Sequence, residues 1–165
     1  MFFLIILYNL AATSALLWMM AKNPRYMLQD YPQEIIAAVP PKTDQEKKAS
    51  YYYGMPFLVI LFLFPLVAGW LSKNTTDLTF IQNWMRIFFL MLSFNIVDLF
   101  IIDWLVFCTI TPNFIVIPGS EGNPAYKDYR FHFIGFLKGC IFSTLGSLLY
   151  AGLLELIFYL MNRFS

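Results

Sequence analysis

Residues 55–72 read MPFLVILFLFPLVAGWLS, a stretch that contains no charged side chain. A helix needs about 20 predominantly apolar residues to cross a hydrocarbon core of about 30 Å. Inside lipid the backbone must satisfy its own hydrogen bonds, so an apolar stretch of this length is expected to be helical. The stretch therefore predicts a membrane-spanning helix, and it decides the fold class.

Three further apolar runs have the same character, and none shows the alternating polarity of a barrel strand. Of the 165 residues, 59% are hydrophobic and 13% are charged, whereas a soluble domain carries about 25% charged residues. The sequence predicts an all-α, multi-pass membrane protein in which residues 1–165 form a single four-helix bundle. The predicted spans are residues 2–21, 55–72, 82–108 and 132–161.

The first run resembles a signal peptide in position but not in composition. It has no positively charged leader, and its apolar part exceeds the roughly 7 to 15 residues of a signal peptide. We therefore expect it to be a retained helix. The net charge of +1 argues against nucleic acid as a partner, because that binding needs a concentrated basic face.

Basic residues predict how the bundle is oriented. Four spans place residues 22–54 and 109–131 on one side, and these two loops carry seven Lys and Arg residues. The other side carries Lys73 and Arg163, with Arg86 just inside the third span. Because positive residues collect in cytoplasmic loops, we expect both loops to be cytoplasmic and both termini to be external to the cell membrane.

The first loop contains two helix-start patterns. Asp30 precedes Pro32 and the apolar residues 35–39, which predicts a short amphipathic helix capped by Asp30. Thr43 and Glu46 have the spacing of a capping box, in which each side chain binds a backbone N–H of the other residue. A second helix should start there and continue into the membrane.

The third loop contains the short apolar run 114–117, followed by a cluster of turn-forming residues at 118–124. The run is too short to cross a bilayer. We expect an apolar strap that lies along the interface. The alternative is a flap that folds back over the cytoplasmic mouth of the bundle.

Several charged residues occur within the spans, where each costs several kcal/mol unless it is paired or functional. At about 1.5 Å per residue from the cytoplasmic ends, Asp103 and Lys138 reach similar depths. Arg86 and Glu155 also match, near the external face. We expect these two structural ion pairs to set the register of the third and fourth spans.

Asp98 has no cation at its predicted depth of about 15 Å. Asn95 lies one turn earlier on the same side of the helix, so the two form a polar patch near the bilayer centre. A carboxyl group there can donate a hydrogen bond to a neighbouring helix, carry a proton or bind a cation. Asp98 and Asn95 are the leading candidates for binding a ligand, a proton or an ion.

Small residues recur every fourth position along the fourth span, and such a stripe lets another helix approach closely. The stripe predicts packing within the bundle, with a second copy or with another membrane protein. Its two serines could also line a polar path and are further binding candidates. The stripe comprises Gly135, Gly139, Ser143, Ser147 and Ala151.

A second group of polar residues is predicted at the cytoplasmic mouth. Metal binding would need Asp103, Glu121 and His132 to converge, and we predict neither a metal site nor a cofactor. No nucleotide-binding, nucleophile-elbow or zinc-protease motif occurs. The mouth candidates are Asp103, Glu121, Lys127, His132 and Lys138.

Three function classes agree with these patterns. The leading one is a small, oligomeric transport or ligand-binding bundle with Asp98 at its polar centre. The second is a non-catalytic subunit or regulator that packs against a membrane protein through the fourth helix. The third is a membrane-embedded enzyme that acts on a lipid or quinone at the cytoplasmic face.

Overall fold

The computed structural model describes residues 1–76 and 78–164, and every regular element in them is helical. Short 3₁₀ turns cover Pro24–Asp30 and Pro124–Lys127. The helices are α1 (Phe2–Lys22), α2 (Gln33–Ala38), α3 (Asp44–Thr75), α4 (Phe80–Val97), which continues as a π-helix over Asp98–Ile110, and α5 (Tyr129–Phe164).

Four of these helices, α1, α3, α4 with its π-helical continuation, and α5, are long and apolar enough to span a membrane. Large apolar side chains such as Leu10, Leu63, Ile81 and Leu149 are exposed on their outer surfaces. An apolar surface of this extent is unstable in water but is expected next to lipid. The predicted all-α, four-helix membrane bundle is therefore confirmed.

The start of α3 follows from its capping residues. The Thr43 side chain accepts a hydrogen bond from the Glu46 backbone N–H at 3.2 Å, and the Glu46 carboxylate accepts one from the Thr43 N–H at 2.8 Å. The predicted capping box is thus confirmed. Arg25 also donates to Glu46 at 2.5 Å, which ties the first loop to the first turn of α3.

The cap predicted for α2 is wrong. The residue that precedes this helix is Pro32, and no side chain caps its amino terminus. Asp30 instead accepts a hydrogen bond from the Gln29 side chain at 2.7 Å. Asp30 ends the preceding 3₁₀ turn, so its carboxylate is two residues too early to cap the helix. It can therefore contact other parts of the bundle.

The two loops pack together at one end of the bundle, which we call the loop end. Ile115 and Ile117 are completely buried, and the Tyr31 hydroxyl donates to the Ile115 carbonyl at 2.8 Å. Tyr126 accepts from the Ile117 N–H at the same distance. The expected strap along the interface is therefore wrong, because the isoleucines of the third loop are buried against protein. The alternative flap over the cytoplasmic mouth stays a prediction.

Both predicted ion pairs are wrong. The Asp103 carboxylate instead contacts the His132 imidazole at 2.9 Å, and the Glu155 carboxylate forms an ion pair with the Lys73 ammonium at 2.5 Å. The depth scale assumed 1.5 Å per residue, whereas Asp103 lies in the π-helix. Lys73 was assigned to an external loop, but α3 extends to Thr75 and brings Lys73 to α5.

The small-residue stripe of α5 packs inside the bundle from Gly139 to Ala151, whereas Gly135 is exposed and has nothing within 4 Å of its Cβ position. Ser143, Ser147 and Ala151 are buried, and α5 makes its most extensive contacts with α4. A Cβ atom added at Gly139 would overlap the Asn95 carboxamide. The absence of a side chain at Gly139 is therefore what lets α4 and α5 approach at this level.

We predict that Gly139→Ala lowers the free energy of unfolding by about 1–3 kcal/mol, the usual cost of overpacking. Gly152→Ala is the matched control, since nothing lies within 4 Å of a Cβ at that position. It should be neutral or stabilising by up to about 1 kcal/mol, because Ala favours a helix over Gly. Thermal unfolding in detergent micelles measures both, and equal losses would contradict the assigned packing.

Candidate functional site

A cavity of about 520 Å³ lies at the loop end, between α1, the 3₁₀ turn of the first loop, the second half of α4 and the start of α5. We call it the acidic cavity. Its walls are largely apolar, and its volume is within the roughly 300–1,000 Å³ typical of small-molecule sites. The ionisable or amide side chains that the following argument uses are Asp30, Asn95, Asp98, Asp103, His132 and Lys138.

The π-helix brings two of these carboxyl groups to one wall. In an α-helix of 3.6 residues per turn, Asp98 and Asp103 would point about 140° apart. From Asp98 onward the helix has the wider winding in which hydrogen bonds join residues five apart. The Thr111 N–H accordingly donates to the Val106 carbonyl at 2.8 Å. Both carboxyl groups therefore face the acidic cavity.

Asp103 and His132 form a hydrogen-bonded pair between α4 and α5. The His132 Nδ1 lies 2.9 Å from the Asp103 Oδ1, and the imidazole is packed against the rings of Phe107 and Phe131. His132 is only 6% exposed, and in the described part of the chain its Nε2 has no hydrogen-bond partner. With the proton on Nδ1, a neutral imidazole presents Nε2 as a bare acceptor.

Asp98 differs from the other two carboxyl groups because it is unpaired. Within residues 1–76 and 78–164 its carboxyl group takes part in neither a hydrogen bond nor an ion pair, and the charged groups that act on it are the acids Asp103 and Asp30. Asn95, on the same wall, donates weakly to the Phe136 carbonyl at 3.4 Å. An ionised carboxylate in such surroundings needs a cation in contact with it, and among the described residues neither Lys138 nor any other cation forms an ion pair with Asp98.

Asp30 is a site residue that the sequence analysis missed. Its carboxyl lines the acidic cavity beside α4. Desolvation raises the pKa of Asp30 above its usual value, and the Gln29 hydrogen bond and the Lys42 charge offset this only in part. The carboxyl of Asp103 raises it further. The position of an acid before a proline favoured a helix cap, and nothing local in the sequence indicated a contact with α4.

The other predicted candidates separate into two groups. The candidates that line the acidic cavity are Asn95, Asp98, Asp103, His132, Lys138 and Gly135. Those that do not line it are Ser143, Ser147, Glu121 and Lys127. Ser147 instead accepts a hydrogen bond from the Trp84 indole at 3.0 Å. Glu121 accepts one from the Gly119 N–H at 2.9 Å, and Lys127 donates to Thr109 and Thr111 at the end of the π-helix.

Asp103, Glu121 and His132 do not converge, because Glu121 faces its own turn. Over the residues that the structure describes, no group of three or more His, Cys, Asp or Glu side chains is arranged to hold a metal ion. Cys108 and Cys140 are free thiols. The chemistry that the acidic cavity offers is therefore that of carboxyl groups, one imidazole and one ammonium, together with the Tyr31 phenol and the amides of Gln29 and Asn95.

The chain matches no family model, and comparisons with curated proteins and with solved structures give no significant match. The function has to be inferred from the site itself.

We predict that Asp103→Ala lowers the free energy of unfolding by about 1–3 kcal/mol, because it leaves the buried His132 Nδ1 without an acceptor. Asp103→Asn should lose less than about half of that, since its carboxamide oxygen can accept the same hydrogen bond. Chemical denaturation in micelles gives both values. An Asn variant as unstable as the Ala variant would show that the hydrogen bond is not what matters at this position.

Proposed function

We propose that this protein binds a small organic cation, an amine with an apolar tail, in the acidic cavity. One observation carries the proposal: the carboxyl groups of Asp30, Asp98 and Asp103 line a single cavity in which Lys138 is the only lysine or arginine among the described lining residues. His132 is the other group there that can carry a positive charge. The cavity therefore has an excess of acidic groups.

The energetic argument concerns Asp98. An isolated carboxylate away from water is costly, so it either binds a proton or attracts a cation. A ligand ammonium next to Asp98 supplies the opposite charge and up to three N–H donors. The Asp98 carboxylate accepts one donor, and the Asn95 carboxamide oxygen can accept another.

The acidic lining adds selectivity for a ligand that donates hydrogen bonds. Ionised carboxylates accept hydrogen bonds but cannot donate them, so they favour an N–H or O–H donor over an acceptor. The apolar part of the ligand would contact Leu16, Met20 and Phe57, which line the other side of the cavity. A primary alkylamine satisfies both requirements, whereas a carboxylate satisfies only the apolar one.

We further propose that the acidic cavity faces the cytoplasm of a cell, as the seven basic residues of the two loops support. Exchange of the ligand ammonium for a proton on Asp98 is a reaction that a transporter can use, so transport belongs to this proposal. An oligomer is not needed to form the cavity. A partner bound through α5 would have to use its exposed face, because the small-residue stripe from Gly139 to Ala151 packs inside the bundle.

The experiment compares three six-carbon probes that differ only in their head groups. Hexylamine, hexanol and hexanoate are added to the purified protein in micelles, and thermal unfolding is followed. A ligand that binds only the folded state at 100 times its Kd stabilises that state by about 2.7 kcal/mol. We predict stabilisation by hexylamine and none by hexanoate, with at least a tenfold weaker amine affinity in Asp98→Asn.

Glu121→Gln is the matched control. It makes the same carboxylate-to-amide change at the loop end, but outside the acidic cavity, and should leave the amine affinity unchanged. Equal stabilisation by all three probes would indicate nonspecific partitioning. An unchanged amine affinity in Asp98→Asn would overturn the proposal.

An enzyme that acts on a lipid or quinone is a second candidate, favoured by the Asp103–His132 hydrogen bond. A carboxylate that orients a histidine in this way is a common arrangement for a general base. This candidate predicts that His132→Ala abolishes conversion of lipids in reconstituted mixed-phospholipid vesicles, while Asp98→Asn retains it. Mass spectrometry of the extracted lipids measures the conversion.

A further inference from the structure

A second cavity, of about 600 Å³, lies on the other side of the 3₁₀ turn of the first loop, between α1 and the first half of α3. We call it the basic cavity. It shares the wall residues Met27, Gln29, Asp30 and Phe57 with the acidic cavity. Its remaining lining differs in charge, because it contains Lys42 and Lys47.

Polarity changes along α3 within the basic cavity. Lys47, Ser50, Gly54, Phe57 and Leu58 all line it, and their spacing of three or four residues places them on one stripe of the helix. Lys47 and Leu58 are about 16 Å apart along the axis. The stripe is thus basic and hydroxylic at the loop end and apolar towards the middle of the bundle. This order matches that of a bilayer leaflet, in which a polar head-group layer is followed by a hydrocarbon layer.

Lys42 carries an ammonium that forms no ion pair with any carboxylate among residues 1–76 and 78–164. Its Nζ donates to the Tyr26 carbonyl at 2.8 Å, to the Ser50 hydroxyl at 3.3 Å and to the Gln29 side chain, all of them neutral acceptors. Desolvation lowers the pKa of Lys42 below its usual value, and Asp30 and Glu46 offset this only in part. A partly desolvated cation of this kind favours an anion next to it.

Lys47 is the second cation of the basic cavity. It forms an ion pair with Asp44 at 2.9 Å, but both side chains are well exposed. Exposed ion pairs of this kind contribute at most about 1 kcal/mol. The Lys47 ammonium can therefore turn to an anion in the cavity at little cost. Among the described residues that line the basic cavity, Asp30 on the shared wall is the one acid.

We propose that the basic cavity binds one anionic phospholipid of the surrounding membrane, with its phosphate next to Lys42, Lys47 and Ser50 and an acyl chain along Gly54, Phe57 and Leu58. This site goes beyond the proposed amine site and does not depend on it. A free anion would account for the two lysines but not for the apolar half of the cavity. A lipid accounts for both.

Gly54 provides a direct test because it lines the apolar half of the basic cavity. A Cβ there would meet only the flexible end of Met19, at 3.4 Å, so a larger side chain would extend into the space assigned to the acyl chain. Gly54→Leu should therefore block lipid binding. Gly152→Leu is the matched control, since Gly152 is exposed on α5 with nothing near its Cβ position.

The experiment titrates delipidated protein in micelles with dioleoyl phosphatidylglycerol or dioleoyl phosphatidylcholine and counts bound lipids by native mass spectrometry. We expect one phosphatidylglycerol to bind at least tenfold more tightly than phosphatidylcholine. Gly54→Leu should weaken both lipids at least tenfold, and Gly152→Leu neither. Lys42→Met should reduce the preference for phosphatidylglycerol to threefold or less, whereas Lys42→Arg should retain it.

Three results would overturn the lipid site: equal affinity of the wild-type protein for the two lipids, full binding by Gly54→Leu, or displacement of phosphatidylglycerol by millimolar inorganic phosphate. The last would assign the lysines to a free anion. Thermal unfolding checks that each variant is folded. If Gly54→Leu does not fold, the ratio of the two lipid affinities in Lys42→Met and Lys42→Arg decides the outcome. Failure of the amine site appears separately, in Asp98→Asn.

Discussion

The wider winding of residues 98–110 determines which side chains of α4 meet α5. In this segment hydrogen bonds join residues five apart, so Asp98 and Asp103 both face the acidic cavity instead of pointing about 140° apart. Asp103 can then bond to His132 across the helix interface, and Asp98 remains alone beside it. An α-helix with the same sequence would turn one of the two carboxyl groups away, and neither the hydrogen-bonded pair nor the acidic cavity would have its present composition.

The packed loops at one end of the bundle are the second determinant of the site. Tyr31 and Ile115 join the first loop to the third, and both are almost completely buried. This contact holds the 3₁₀ turn of the first loop against the helices, so that Asp30 faces α4 and Lys42 faces α3. A single loop therefore supplies Asp30 to the wall that both cavities share and Lys42 to the basic cavity alone, which is one reason why the two neighbouring cavities differ in charge.

The sequence predicted those features that depend on local chemistry. The four spans follow from apolar runs, and the start of α3 follows from Thr43 and Glu46. Predictions from the sequence failed where the outcome depended on contacts between distant segments. The pairings of Asp103 and Glu155 were wrong because a π-helix and the length of α3 cannot be recognised from hydrophobic periodicity. Asn95 and Asp98 were grouped correctly on one wall, because they precede or begin the altered winding, whereas Asp30 was missed.

The wall shared by the two cavities has a thermodynamic consequence. Met27, Gln29, Asp30 and Phe57 would touch an occupant on either side, so an occupant that shifts this wall changes the free energy of filling the opposite compartment. Such coupling is reciprocal: the first occupant changes the affinity for the second by the same factor by which the second changes the affinity for the first. The composition of the surrounding bilayer and the concentration of a soluble solute would then be sensed through the same four side chains.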